Sequence, residues 1–200
     1  KLVGSVRTYI HTGERGLTMD AWFEGLRAGH AFVSTGPLVE FTVDGAIPGE
    51  TVNLPEQGGT VELRAWVRSI TPIERLILVW NGDVIEEVLL EGNRHEAEMS
   101  RTLSVSGSGW YHLRVEGRSD ERFPLDADFA QAFTNPVWIT VGDYPVRSQE
   151  SAAYSLRWID KLQGMAEAWP GWRSVRERLH VFEQFEQARQ VYRGFTEESR

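Results

Sequence analysis

Val61, Leu63, Ala65 and Val67 alternate with Glu62, Arg64, Trp66 and Arg68, a period of two that belongs to a strand with one wet face. The same alternation runs through Val39, Phe41 and Val43 against Leu38, Glu40 and Thr42, and through Tyr111, Leu113 and Val115 on the stretch from Trp110 to Glu116. Arg75 to Trp80 and Asp83 to Leu90 flank Asn81-Gly82, the dipeptide best able to take the two positive φ angles of a type I′ hairpin. Ala97 to Val105 and Val137 to Val141 complete about seven short strands with no helix between them. That pattern predicts a mainly β fold, an antiparallel β-sandwich of immunoglobulin-like type.

The period changes at both ends. A β-prone piece, Ser5 to Ile10, precedes Thr18, which can cap a helix of about three turns that Gly29 stops. On it Trp22 and Leu26 would share the buried face. After Gly142, Ser151 can cap a helix carrying Ala152, Leu156, Ile159 and Leu162, ending near Gly164. Ser174 can cap a second, with Val175, Leu179, Phe182, Phe185 and Tyr192 on one stripe. The expected plan is a short N-terminal α/β segment over residues 1–37, a sandwich over 38–146 and a helical hairpin over 147–200. The tryptophans of the hairpin, Trp158, Trp169 and Trp172, call for it to dock on the sandwich or on a partner.

Composition narrows the chemistry. A formal net charge of −8 opposes a broad grip on nucleic acid or anionic lipid. The absence of cysteine removes disulfides, thiolate metal sites and a cysteine nucleophile together. No apolar run approaches the roughly 20 residues of a membrane span. The chain opens on Lys1 with no signal-like segment, and we expect it to continue a longer polypeptide.

Five histidines, His11, His30, His95, His112 and His180, stand singly, without metal-ligand spacing, so no metal site and no catalytic set is expected within the chain. His112 and His180 read as solvent-facing. His11 and His30 read as packing or facing water, with a ligand-facing role as the sharper alternative. Asp120, Glu121, Asp126 and Asp128 read as a solvated acidic loop, with calcium as the sharper alternative. No nucleophile elbow, phosphate loop or dinucleotide fingerprint is present.

The segment LTMDAWFEGLRAGHAFVSTGPLVEFTVDGAIPGETV resembles the carbaryl-hydrolase-type (CehA/McbA) metallohydrolases, in which a helix ending in RAG leads through a strand to a TGP or NGP turn. Here these are Arg27-Ala28-Gly29 and Thr35-Gly36-Pro37. Leu76 to Gly82, Ser108-Gly109-Trp110, Phe133 to Val137 and Trp158-Ile159-Asp160 are similar to later parts of that family, so the resemblance covers about residues 5–163. It implies that residues 1–37 end a PHP-like barrel whose metal ligands lie upstream, and that the sandwich is a non-catalytic accessory domain. It further implies that the divalent metal belongs to the full-length protein, with the upstream barrel as partner, and that Thr35 and Gly36 either orient a substrate or simply form a structural turn. Similar proteins commonly carry arginine or another polar residue where this chain has His30. Two other readings compete: a carbohydrate- or protein-binding module using Trp66 or Trp110, which could instead pack beneath the helices, and a purely structural element that shields the barrel or forms a homodimer.

Overall fold

The computed structural model describes residues 3–197, the side chain of Glu197 excepted. It divides into two compact units, Lys1–Val146 and Arg147–Arg200. The first holds β1 (Arg7–Ile10), α1 (Met19–Ala28), β2 (Ala31–Ser34), β3 (Leu38–Val43), β4 (Thr51–Leu54) and β5 (Gly59–Arg68). It continues with β6 (Arg75–Trp80), β7 (Asp83–Leu89), β8 (Glu96–Val105), β9 (Gly109–Glu116), β10 (Gln131–Thr134) and β11 (Val137–Val141). The fold is the expected immunoglobulin-like β-sandwich, with eleven strands among the described residues rather than about seven. β4 and β10, four residues each, are too short to show a period.

A sheet of eight strands faces a sheet of three, ordered β3-β5-β8. In the larger sheet β9 pairs with β6 on one side and with β10 and β11 in succession on the other. β10 and β11 follow one path, broken at Asn135-Pro136, because Pro136 has no N–H for the ladder. Around that break Asn135 donates from Nδ2 to the Gly29 carbonyl at 2.9 Å, and Leu113 donates its backbone N–H to the Thr134 hydroxyl at 3.0 Å. β11 then pairs with β4 in parallel, while β10 pairs with β2, and β2 with β1 at the sheet margin.

The inward positions of both sheets form one core, in which Leu63, Leu76, Leu78, Leu113 and Ile139 are fully buried. Asn81 and Gly82 have φ of 52° and 99°, the two positive angles expected of the β6–β7 hairpin. Thr18 caps α1 by accepting from Ala21, and Gly29 closes it at φ 77°. The buried face of α1 is not the expected one. Ala21 and Gly25 are buried, whereas Leu26 is exposed and Trp22 only half-buried. A side-chain carbon on Gly25 would lie 2.6 Å from the His11 carbonyl oxygen. The helix approaches β1 so closely that small residues, not large ones, make the contact.

The second unit is an antiparallel pair, α2 (Gln149–Glu167) and α3 (Val175–Glu197). Ser148, not Ser151, caps α2, and the helix runs past Gly164. Ser174 accepts from Glu177, as expected for the cap of α3. Arg189 of α3 ties the helices by donating to Asp160 at 2.9 Å and Gln163 at 2.8 Å. No helix among the described residues is long and apolar enough to cross a membrane.

Candidate functional site

β1 and β2 form one margin of the larger sheet. In the pairing of β1 with β2, Tyr9 lies opposite Phe32, and their rings stack at 4.7 Å and 6°. With the exposed margin of β3 they line a cleft of about 560 Å³, which includes His11, His30, Glu40 and Trp66. The structure thus brings His11 and His30 together. The His11 N–H donates to the His30 carbonyl at 2.8 Å, and both residues border this cleft.

Thr35 and Gly36 stand at the opposite end of β2, and their polar groups are already engaged. The Thr35 hydroxyl accepts from the Gln131 N–H at 2.8 Å and donates to the Phe129 carbonyl at 2.9 Å. The Gly36 N–H donates to the Ser34 hydroxyl, which itself donates to the Pro37 carbonyl at 2.6 Å. A side-chain carbon on Gly36 would lie 2.7 Å from Leu125. These groups knit the β2–β3 turn to the loop before β10. Thr35, Gly36 and Leu38 also border a second cleft of about 730 Å³ that adjoins the first at Tyr9 and Leu38.

Trp66 lies on the outer face of β5, half-buried beside the first cleft, and its indole N–H donates to Glu96 at 3.2 Å. Trp110 and Trp138 meet edge to face on the outer side of the larger sheet, their planes 62° apart. Two planes so inclined give no flat platform for a sugar ring. His112 sits beside Trp110, with ring centroids 5.8 Å apart, and is half-buried rather than solvent-facing. Burial, and then the charge of Arg114, lower its pKa.

The lowered pKa of His112 makes the fold less stable as pH falls. Above about pH 6.5 the ring is neutral in both folded and unfolded chains; below it the unfolded chain takes up a proton that the folded chain resists. Acidification from pH 7.5 to 5 is therefore expected to lower the unfolding free energy, and His112→Gln to remove part of that loss. A set of urea titrations across this range measures both; an unaltered pH slope in the variant contradicts the assignment to His112.

Arginines engage two of the acidic side chains of the loop and part of its backbone, while Glu121 Oε2 is buried without a partner among the described residues. Arg94 donates to Glu121 and holds its carboxyl below the usual carboxylate range, Arg118 pairs with Asp120 at 3.6 Å, and Arg122 donates to the Leu125 and Ala127 carbonyls. Among the described residues no three His, Cys, Asp or Glu side chains converge as a metal site.

Sequence reasoning singled out His11 and His30 but not Tyr9, Phe32 or Glu40. The alternation that puts Tyr9 and Phe32 on the inner face exists in the sequence, but over four-residue strands only the pairing shows it.

No family model matches this chain, and no curated protein matches it. Among solved structures, it is similar to a CARDB domain from Pyrococcus furiosus at 12% identity and a TM-score of 0.34, covering 52% of this chain and 95% of that one. It is also similar to the fibronectin(III)-like modules of Clostridium thermocellum CbhA at 18% identity and a TM-score of 0.31, covering 53% and 99%.

Proposed function

We propose that this chain is a non-catalytic accessory module of a metal-dependent hydrolase of the CehA/McbA type, and that the hydrolytic metal centre belongs to a domain preceding it. The motif order from Arg27-Ala28-Gly29 through Thr35-Gly36-Pro37 to Phe133–Val137 supports the family. The observation that carries the accessory role is α1. It buries Ala21 and Gly25 against its own sheet and turns Met19, Phe23 and Leu26, with Leu17 before them, to solvent. Positions 19, 23 and 26 recur at helical spacing, so they make one apolar stripe on the element next to the proposed domain junction. Covering such side chains gains about 1.5–3 kcal/mol each, enough to hold a preceding domain in place.

Deleting these 200 residues from the parent polypeptide is expected to lower the thermal midpoint of the metal-loaded hydrolase by several degrees. Met19→Ser with Phe23→Ser in the intact polypeptide should reproduce much of that loss. Scanning calorimetry measures it. Unchanged midpoints in both, with kcat/KM also unchanged, would contradict the proposal.

A further inference from the structure

The margin of β3 away from β5 carries main-chain groups that take no backbone partner among the described residues. The Val43 N–H donates to the Ala46 carbonyl at 3.0 Å, and the Ala46 N–H donates back to the Val43 carbonyl at 2.9 Å. Both main-chain groups of Val43 therefore point away from β5. In an antiparallel pair, successive residues alternate between facing the partner strand and facing away. Phe41 and Val39 consequently direct their N–H and C=O groups outward, while Leu38, Glu40 and Thr42 face β5. Outside the ladder, neither Val39 nor Phe41 makes a backbone hydrogen bond among the described residues. As whole residues, main chain included, they are 6% and 3% exposed, and both line the cleft that holds Tyr9 and Phe32.

The opposite wall is also an open edge. The bond from His11 N–H to His30 C=O fixes the phase of the β1–β2 pair, so the main-chain groups of Thr8 and Ile10 face away from β2. Two other strand margins, those of β7 and β8, are guarded. β7 carries a register shift opposite Leu78/Val79, with Glu86 paired to Arg101 and Glu87 to Arg75, while β8 presents Glu96 and Glu98. Bulges and charges of this kind block strand addition. β3 has neither bulge nor proline within it, and Glu40 is its single charge.

We propose that the groove between the margins of β1 and β3 receives an extended polypeptide segment, which adds as a strand to β3 and sets a carboxylate against Arg7 and Arg68. Donors and acceptors two residues apart match the repeat of another strand, about 6.6 Å, and a six-residue edge offers about 20 Å of contact. Side chains on one face of the added strand rest on Tyr9 and Phe32, and those on the other face lie beside Leu38. The carboxylate follows from the adjoining cleft, where Arg7 and Arg68 are exposed and have no ion-pair partner among the described residues; Asp126 is the one carboxylate on its lining. This groove is complete within the sandwich, and a peptide would bind there whether or not a metal-binding domain precedes the chain.

The test uses the ¹⁵N-labelled 200-residue chain and three synthetic probes: a nonapeptide of alternating Val and Thr with aspartate at both ends, the same peptide with lysine at both ends, and xylohexaose. In the free chain the Val39 and Phe41 amides should exchange with solvent quickly, while the Glu40 and Thr42 amides exchange slowly. The aspartate peptide should slow exchange at Val39 and Phe41 by about tenfold or more. It should also bind about fivefold tighter than the lysine peptide. The double variant Arg7→Glu with Arg68→Glu, confined to exposed side chains, should abolish that preference while leaving the dispersion of the amide spectrum intact. Slow exchange at Val39 and Phe41 in the free chain would overturn the proposal. So would an aspartate peptide that leaves both amides unmoved, a charge preference that survives the double variant, or amide shifts at these positions with xylohexaose alone.

Discussion

Gly49→Ala is expected to destabilise the sandwich by about 3 kcal/mol or more. Gly49 has a φ of 94°, and a side-chain carbon there would lie 2.2 Å from the Ala28 carbonyl oxygen and 2.7 Å from the Gly29 carbonyl carbon. Both atoms are backbone and cannot swing aside. The loop cannot retreat freely either, since the Gly49 N–H donates to the Pro136 carbonyl at 2.8 Å and Asn135 holds the end of α1 through Gly29. Gly45 separates conformation from contact. Its φ is 82°, but no atom lies within 4 Å of the place a side-chain carbon would take, so Gly45→Ala should cost only about 1 kcal/mol. Urea unfolding of the two variants measures the difference; equal losses would mean that the close approach of the β3–β4 loop to α1 is not real.

Leu113→Ala should cost about 3 kcal/mol, within the 2–5 kcal/mol typical of a leucine truncated in a rigid core. Leu113 is fully buried on β9, opposite Leu78 of β6, in a strand paired on both sides. No side of the resulting cavity can close without moving a ladder. Leu89→Ala, at the exposed end of β7, should stay within about 0.5 kcal/mol of the parent chain. The same urea titrations compare them, and a small effect at Leu113 would contradict its place at the centre of the sandwich.

What the sequence made legible follows the lengths of its periods. β5 and β9 show their alternation over eight or more residues, and Asn81-Gly82 announces its turn by chemistry alone, so these elements were readable from the residues. β4 and β10 were not, because four residues cannot show a period and their places depend on β11 and on β2 and β9, distant in the chain. On α1 the apolar stripe was visible but its orientation was misread. Size suggested that Trp22 and Leu26 face the sheet, whereas the close approach at Gly25 selects small residues for that side.

The candidate site divides in the same way. His11 and His30 could be named as isolated histidines, but only the pairing of β1 with β2 sets them side by side. The Thr35 hydroxyl and Gly36 amide looked available in the sequence; the loop before β10 and the Ser34 side chain occupy them. Backbone groups of Val39 and Phe41 carry no signal in a side-chain pattern that marks both residues as core. The alternation of β9 sets Trp110 beside His112 on the outward face, two residues away, but an outward position alone does not tell that the imidazole is half-buried there.

In the proposed arrangement this chain binds and the hydrolysis belongs to a separate domain. The most direct test of that arrangement is metal content by elemental mass spectrometry together with turnover on ester, amide and phosphoester substrates, for the purified 200-residue chain after dialysis against zinc and manganese. The expected result is metal far below one equivalent per chain and no hydrolysis above buffer. Stoichiometric metal that resists a chelator, with hydrolysis that disappears when His11 and His30 are replaced by alanine, would contradict it.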